Sequence, residues 1–165
     1  MLHACSISSL CSDVLRARHL VGKGKAGTND AYVVMQLGKA KYQTSVQDKA
    51  IDPEWNEECD FELPTEASAI ELTVLHKDVI GLDKFLGRCL IMLADLDEYG
   101  MPLTRWVELG GRHDNKDSKY RGELEVRLTC IVRNHTEASP EQGKLKKAAA
   151  VGSRFSTSPT VSGTS

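Results

Sequence analysis

The segment VGKGKAGTNDAY, residues 21–32, concentrates glycine and lysine in a way that could bind phosphate. A nucleotide-binding P-loop has the pattern G-x-x-x-x-G-K-[ST] between a strand and a helix, so that backbone amides and a lysine converge on the phosphates. Gly22 and Gly27 have this spacing, but Thr28 stands where the lysine is needed, and a strand-like run follows. The dinucleotide pattern G-x-G-x-x-G also fails, because no helix follows. Nucleotide binding is therefore not predicted.

The other reactive residues show no catalytic or metal-binding spacing. The five cysteines are scattered and contain no C-x-x-C pair, so neither a zinc site nor a disulfide framework is predicted, and we expect reduced thiols. The sequence contains no G-x-S-x-G elbow and no H-E-x-x-H motif, and no histidine is paired with a nucleophile by a familiar spacing. We therefore expect a protein that is not an enzyme and that needs no cofactor.

Charge and hydropathy limit the class of partner. A chain of 165 residues with 41% hydrophobic residues can form one core, with room for a tail. The formal net charge of -2 argues against a general nucleic-acid binder, which normally has a basic excess. No window approaches the length of a transmembrane helix, and the N-terminal residues lack the features of a signal peptide. These observations predict a soluble, cytoplasmic domain that does not bind nucleic acid.

Hydrophobic alternation predicts strands rather than helices. Leu124, Val126 and Leu128 alternate with charged residues, as in a strand that has one buried and one solvated face. No segment keeps a sustained 3.6-residue period, although residues 93–100 could form a short helical turn. The predicted strands are residues 14–18, 31–37, 41–46, 57–63, 69–76, 88–93, 105–109 and 122–131. Eight short strands separated by turn residues predict an all-β sandwich.

The two ends of the chain depart from this pattern. Residues 1–13 are polar and contain few β-branched residues, so we expect an irregular N-terminus and a short first strand that leaves a poorly paired edge. Residues 134–165 are rich in Ser, Thr, Ala and Gly and contain few large apolar residues, so this C-terminal tail is expected to be disordered. The folded domain is therefore assigned to residues 14–133.

Three segments, in this order and at these separations, resemble the motifs of the C2-domain family: GTNDAY at residues 27–32, DPEWNE at 52–57 and DKFLG at 83–87. The resemblance covers residues 14–131 and implies an eight-stranded antiparallel β-sandwich of C2 type, in the second, circularly permuted topology. The segments VLRARHL, EWNEECDFELP and RGELEVRL further resemble the N-terminal C2 domain of the class I Rab-eleven family-interacting proteins, which are adaptors of recycling endosomes. A downstream helical segment binds the Rab in that family, and this chain has no heptad pattern. A small Rab GTPase is therefore expected to bind only through a downstream region absent from this chain.

Calcium-dependent members of the C2 family place about five aspartates on two loops, because the ion prefers oxygen ligands. The resemblance leaves Asp30 and Asp78 as matching positions, with Asp83 one residue early. The other ligand positions and their neighbours carry Gly24, His76, Lys84, Lys25 and Lys77. Positive charge at these positions repels a calcium ion. We therefore predict no metal site, with Asp30, Asp78 and Asp83 as the residual carboxylates if any calcium binds.

These residues also have structural interpretations that involve no metal. Asp30 and Asp78 are expected to accept hydrogen bonds from amides of their own loops. His76 is expected to be an exposed loop histidine. Trp55 and Phe61 are expected to be packing anchors.

Lysines in place of acids would attract anionic lipid directly, each contributing about 1 kcal/mol. Val79, Ile80 and Leu82 would form an apolar tip that enters the acyl boundary, unless one or more of them fold back into the core. Lys39 and Lys41 share one face of a strand that carries a phosphoinositide-binding face in many C2 domains, although an ordinary solvated face is the more common explanation of such a pattern. The predicted lipid-binding residues are Lys23, Lys25, Lys77, Val79, Ile80, Lys84, Lys39 and Lys41.

The resemblance and the lysines together predict a calcium-independent membrane-targeting module. It would bind acidic phospholipids and help to recruit a Rab-effector adaptor to recycling endosomal membranes in vesicle trafficking, as a cytoplasmic, peripheral protein. Two alternatives stay open: a protein–protein interaction domain with little lipid affinity, and a weakly calcium-dependent lipid binder. Sedimentation with acidic vesicles in the absence of calcium separates these functions.

Overall fold

The computed structural model describes residues 7–96, 101–112, 119–132 and 149–150. Within them the chain forms two antiparallel sheets, with 3₁₀ turns at Lys25–Gly27 and Leu93–Asp95. The strands are β1 (Ile7–Arg18), β2 (Asn29–Leu37), β3 (Ala40–Gln43), β4 (Gln47–Ala50), β5 (Glu54–Glu62), β6 (Ala69–His76), β7 (Lys84–Met92), β8 (Leu103–Glu108), β9 (Glu123–Val132) and β10 (Ala149–Ala150). The predicted all-β sandwich is confirmed.

The strand order places the first strand beside the last long strand. One sheet has the order β5-β1-β9-β8, and the other has the order β10-β3-β2-β6-β7, with β4 also paired to β2. Strand β1 is central, because β5 pairs with one of its edges and β9 with the other. A chain that begins in the middle of a sheet, next to its last long strand, has the permuted order that the sequence resemblance implied.

The predicted run 41–46 is a strand only at its start: β3 spans Ala40–Gln43, residues 44–46 lie outside any strand, and β4 (Gln47–Ala50) was not predicted. Thr44 is buried, and its Oγ1 accepts a hydrogen bond from the Val33 N–H at 2.9 Å, while the Thr44 N–H donates to the Val33 carbonyl at 2.9 Å. A side-chain hydroxyl thus replaces a strand carbonyl, and the chain continues into β4, which pairs with the first residues of β2. The eight predicted runs thus correspond to β1, β2, β3 and β5 to β9, whereas β4 and β10 have no counterpart among them.

Strand β1 begins at Ile7, so the expectation of an irregular N-terminus up to residue 13 is wrong for residues 7–13. Leu10, Ser12 and Val14 point inward and are buried. Ser12 satisfies its hydroxyl by donating to Met35 Sδ at 3.3 Å, which allows a polar residue to occupy a core position. Because both edges of β1 are paired, the poorly paired edge that was expected does not form there. Residues 1–6 lie outside the described part of the chain.

The core lies between the two sheets and is built from alternate residues of each strand. Trp55 and Phe61 are buried, which confirms that they are packing anchors. Trp55 Nε1 donates to the Ala31 carbonyl at 3.3 Å, so its polar atom is satisfied inside the core. The largest fully buried side chains are Phe61, Leu10, Met35, Leu37, Ile70, Leu72, Leu86, Ile91, Leu109, Leu124, Leu128 and Val14.

Part of the predicted C-terminal tail forms a strand. Ala149–Ala150 pairs with β3, opposite Lys41 and Ala40, which differs from the disorder expected for these two residues. Residues 133–148 and 151–165 lie outside the described part of the chain. Within the described ranges, none of the helices has the length and apolar composition that a bilayer crossing requires.

Besides the short connection 51–53 between β4 and β5, three loops emerge at the same end of the sandwich. In one sheet, Arg18 at the end of β1 and Glu108 at the end of β8 both pair with Glu123 at the start of β9. In the other sheet, His76 at the end of β6 pairs with Lys84 at the start of β7. The loop that joins β1 to β2 connects the two sheets at this end. We call the end that carries loops 19–28, 77–83 and 109–122 the loop end.

Candidate functional site

An open cleft of about 730 Å³ lies at the loop end. Loop 19–28 and loop 77–83 form most of its lining, and β4 contributes one residue. The charged residues that line it are Lys23, Lys25, Lys49, Lys77, Lys84, Asp30 and Asp78. Val79 and Ile80 also line it. The structure therefore brings six of the eight predicted lipid-binding residues to one cleft.

Loop 19–28 is held by its own hydrogen bonds, which leave the Lys23 and Lys25 side chains exposed. The Lys23 N–H donates to Asn29 Oδ1 at 2.9 Å, and the Gly24 N–H donates to the Thr28 carbonyl at 2.8 Å. A Cβ at Gly24 would lie 2.6 Å from the Thr28 oxygen, so glycine is required at the position where the C2 pattern has an acid. Asn29 is fully buried and organises the loop, a role that the sequence analysis did not identify.

Asp30 is engaged by groups of the protein itself. Its N–H donates to His76 Nδ1 at 2.9 Å, and its carbonyl accepts from the Lys77 N–H at 2.8 Å. Its carboxylate Oδ1 accepts from the Lys49 N–H at 2.8 Å, so the expected amide partner is present, although it belongs to β4 and not to loop 19–28. The expectation that His76 is an exposed loop residue is wrong: it is the last residue of β6 and is 6% exposed, and its ring nitrogen is satisfied by the Asp30 amide.

Asp78 closes loop 77–83 in the turn that the sequence predicted. Its Oδ1 accepts from the Ile80 N–H at 3.3 Å, and its Oδ2 lies 3.3 Å from Lys84 Nζ. The hydrogen bond from the Ile80 amide, followed by that from Lys84, lowers the pKa of Asp78 below its ordinary value. The carboxylate is thus held ionised by donors of its own loop and of the strand that follows.

Asp83 has an equally complete set of partners. The Tyr32 hydroxyl donates to its Oδ2 at 2.5 Å, the Asp78 N–H donates to its Oδ1 at 2.9 Å, and Lys77 Nζ lies 3.7 Å from Oδ2. The Tyr32 hydrogen bond is the main cause of the lowered pKa of Asp83. In turn, burial, followed by this hydrogen bond, raises the pKa of Tyr32 to about 12.

The tip of loop 77–83 is apolar and almost fully exposed. Val79, Ile80 and Leu82 are 91%, 96% and 92% exposed, respectively. The alternative that these side chains fold back into the core is therefore wrong for all three. A contiguous exposed apolar group beside charged residues is typical of a surface that contacts a membrane or another protein.

The cleft includes one lysine that was not among the predicted residues, and it lacks two that were. Lys49 lines it, because β4 pairs with the start of β2. Lys39 and Lys41 follow the end of β2 that lies away from the cleft. At about 3.3 Å per residue, the length of β2 separates them from the cleft by about 25 Å. The predicted basic residues therefore divide into two separate surfaces.

The sequence model of the C2 domain matches residues 8–109, more than half of the chain. The chain belongs to the C2-domain family. Over 137 residues, this C2 domain is 44% identical to Rab11 family-interacting protein 1 of Mus musculus, and over 154 residues it is 40% identical to Rab11 family-interacting protein 5 of Homo sapiens. Each match covers 76% of this chain, but only 21% and 23% of the relatives, so the chain spans about a fifth of their length.

A solved structure agrees with the family assignment. A C2 domain of plant extended synaptotagmin 1 matches with a TM-score of 0.65 and 28% sequence identity, over 74% of this chain and 92% of that domain. The resemblance to C2 domains, carried by three short motifs, and the resemblance to Rab11 family-interacting proteins, carried by further segments, are therefore both confirmed.

The described residues of this C2 domain offer one group of side chains that could hold a metal ion. Among them, only Cys11, Asp13 and Glu58, on β1 and β5, have three ligand atoms close enough together for one ion, and they lie outside the cleft. Cys11 Sγ donates to Glu58 Oε1 at 3.2 Å, and burial, followed by this bond, raises the pKa of the Cys11 thiol far above its usual range. A thiol that stays protonated is a poor metal ligand. The cleft instead presents lysine ammonium groups and an apolar tip, which are suited to binding an anionic, partly apolar partner.

Proposed function

We propose that this C2 domain is a calcium-independent membrane-targeting module that binds acidic phospholipid through the loop cleft. The observation that carries the proposal is the combination of internally satisfied carboxylates with exposed, unpaired lysines around one apolar tip. Within the described residues, Lys23, Lys25 and Lys49 have no ion pair, whereas Lys77 and Lys84 are paired with Asp83 and Asp78.

The carboxylates support calcium independence because each already has donors from the protein. Calcium needs six to eight oxygen ligands, several of them carboxylates. Among the described residues, Asp30 and Asp78 are the only carboxylates that line the cleft, and calcium would compete there with the Lys49 amide, the Ile80 amide and Lys84. The five lysines that line the cleft would also repel the ion.

The unpaired lysines provide attraction to an anionic surface without a metal. At about 1 kcal/mol for each basic residue, Lys23, Lys25 and Lys49 together contribute roughly 3 kcal/mol. Burial of Val79, Ile80 and Leu82 in the acyl boundary adds to this, since each side chain is worth about 1.5–3 kcal/mol when fully buried. An interfacial tip is only partly buried, and lost translational and rotational freedom costs about 4–15 kcal/mol. Single domains should therefore bind weakly and reversibly, and tight association should require several linked copies.

The relatives suggest the cellular setting of this activity. Two of them are named Rab11 family-interacting proteins, and this chain spans about a fifth of their length. The domain is proposed to help place a Rab-effector adaptor on recycling endosomal membranes, as a peripheral module in vesicle trafficking. Contact with a small Rab GTPase is proposed to need a segment other than residues 14–133. The proposed module carries out no catalysis.

Two matched double variants test the cleft. Lys23→Glu/Lys25→Glu and Lys39→Glu/Lys41→Glu make the same charge change at the same i, i+2 spacing, and all four side chains are exposed. On vesicles that contain phosphatidic acid, without calcium, the first variant should bind about thirtyfold more weakly or worse, because the loss of two lysines removes about 2 kcal/mol. The second should bind as the unmodified domain does.

The other outcomes identify the rival functions. If only Lys39→Glu/Lys41→Glu loses binding, the lipid surface is the β3 face and not the cleft. If the unmodified domain does not sediment even when it is artificially dimerised, the exposed tip is better explained as a contact for a protein partner. Melting temperatures of both variants should equal that of the unmodified domain, which excludes unfolding as the cause.

A further inference from the structure

Loop 109–122, the third loop of the loop end, is held at both of its ends. Gly110 exchanges two backbone hydrogen bonds with Arg88 of β7, at 2.8 and 3.1 Å, and the Leu109 N–H donates to the Gly122 carbonyl at 2.9 Å. Gly122 has a φ of 98°, and a Cβ there would lie 2.5 Å from the Arg18 carbonyl oxygen of β1. The base of the loop is therefore packed against both sheets, and the residues next to it have a defined position.

The described part of this loop carries cationic and aromatic side chains. Arg112 and Arg121 both lie over the ring of Phe85, with Cζ at 5.1 and 5.6 Å from the ring centroid. Lys119 is exposed, and Tyr120 is 48% exposed. Basic residues that flank an amphipathic aromatic residue have the composition of an interfacial membrane anchor. We call Arg112, Lys119, Tyr120 and Arg121 the lateral patch.

The lateral patch is continuous with the other loops of this end. Tyr120 Oη lies 3.2 Å from His19 Nδ1, and His19 is the first residue of loop 19–28. Phe85, which supports the two arginines, directly follows Lys84, which lines the cleft. A single partner surface that contacts loops 19–28 and 77–83 could therefore also contact the lateral patch without any rearrangement of the backbone.

Two described acidic residues lie near the patch, and one of them already has a cation partner. Glu108 and Glu123 are the acidic residues that act on Tyr120. Glu123 is already paired with Arg18, whose Nε lies 2.5 Å from its Oε2. Among the described residues, Arg112 and Lys119 have no ion pair, so their charges are available to an external anion.

We infer that the lateral patch is a second contact with the same anionic bilayer, so that this C2 domain docks through three loops in a defined orientation. The inference rests on the proposed function. The guanidinium of Arg112 and the ammonium of Lys119 bind lipid phosphate, while Tyr120 lies at the level of the headgroups. The apolar tip of loop 77–83 inserts beside them, and the β2–β3 turn faces away from the membrane.

Three single tryptophan substitutions test this orientation. Ile80→Trp marks the apolar tip, Tyr120→Trp marks the lateral patch, and Lys39→Trp marks the far end; all three positions are exposed. Each variant is mixed with acidic vesicles that contain brominated lipid, which quenches tryptophan on contact. The signal of the unmodified domain is subtracted, because it contains Trp55 and Trp106.

We expect quenching at positions 80 and 120 and none at position 39. Quenching at 80 with a signal at 120 as low as that at 39 would overturn the lateral patch while leaving the proposed function intact. Absence of quenching at all three positions would contradict the proposed function itself, and with it the inference.

A charge-reversal variant provides a second measurement. Arg112→Glu/Lys119→Glu should weaken sedimentation with phosphatidic-acid vesicles by about tenfold or more, because it removes two cations from the docking surface. Lys39→Glu/Lys41→Glu is the matched control, with the same charge change at the far end. Equal binding by the two variants, with equal melting temperatures, would contradict the inference.

Discussion

Lys84 Nζ lies 3.3 Å from Asp78 Oδ2. In the sequence pattern of the family, a lysine at this position removes a calcium ligand. In the structure, the same lysine provides a positive charge beside a carboxylate that remains. A lysine in place of an acid at position 84 therefore weakens calcium binding in two ways. It removes one carboxylate ligand, and its ammonium group pairs with a second carboxylate, that of Asp78.

The titration of Asp78 tests this pairing. The pKa of Asp78 is lowered mainly by the Ile80 amide and then by Lys84, so Lys84→Gln should raise it part of the way toward its ordinary value. Because the folded-state pKa is the lower one, the stabilisation is present above the ordinary carboxyl pKa and is lost as the pH falls through the folded pKa. Carboxyl-carbon NMR of the native and Lys84→Gln domains measures this shift. The pKa of Asp83 is the internal control. An unchanged pKa of Asp78 in the Lys84→Gln domain would show that Lys84 does not stabilise the Asp78 carboxylate.

Tyr32 should ionise late in an alkaline titration. Burial, followed by the hydrogen bond to Asp83, raises its pKa to about 12, so the stabilisation from neutral Tyr32 is present below its ordinary pKa and is lost as the pH rises through the folded value. Asp83→Asn should move the tyrosinate absorbance change to lower pH, but not fully to the ordinary value, because burial persists. Tyr32→Phe identifies which part of the absorbance change belongs to this residue. An identical curve for Asp83→Asn would contradict the role of the hydrogen bond.

Gly87 and Gly110 form a matched pair for the packing of β7 against the loop base. A Cβ at Gly87 would lie 2.7 Å from Leu109 Cβ, whereas a Cβ at Gly110 would find its nearest neighbour at 3.7 Å. Gly87→Ala should therefore lower the free energy of unfolding by about 1–3 kcal/mol, as overpacking does. Gly110→Ala should change it by less than about 0.5 kcal/mol. Urea denaturation measures both, and equal stabilities would show that β7 and Leu109 are not so closely packed.

The sandwich was predictable because the alternation of apolar and polar residues that defines each strand lies within that strand's own sequence. Alternation in residues 69–76 predicted β6 with the bounds that are observed, Ala69–His76. The run 57–63 predicted most of β5, which begins earlier, at Glu54, so Trp55 lies within the strand and not at a corner before it. The start of β1 was missed because Ser12, a polar residue, occupies a core position through a contact with Met35, which is distant in sequence.

The cleft was only partly predictable, for the same reason. The resemblance indicated which two loops carry the site, but the burial of His76 follows from its contact with Asp30, and the presence of Lys49 follows from the pairing of β4 with β2. Neither tertiary contact has a sequence signal of its own. The lateral patch was missed because its residues are brought together only when loop 109–122 packs against Phe85.

The apolar tip should be dispensable for folding. Because Val79, Ile80 and Leu82 are exposed, their triple replacement by serine should change the free energy of unfolding by less than about 0.5 kcal/mol at each site. Binding to acidic vesicles should fall by about tenfold or more, since the tip can no longer bury apolar surface. Leu90→Ser/Met92→Ser, at exposed positions of β7, is the control. If both variants bind as the unmodified domain does, the tip does not insert.

The most direct test of the account is sedimentation of the unmodified domain with phosphatidic-acid vesicles, in a calcium chelator and in millimolar calcium. Among the described residues only two carboxylates, Asp30 and Asp78, line the cleft, beside five lysines, so calcium finds few ligands and strong repulsion there. We predict the same bound fraction in both conditions, and loss of binding in Lys23→Glu/Lys25→Glu. Sedimentation only in the presence of calcium would contradict the central claim.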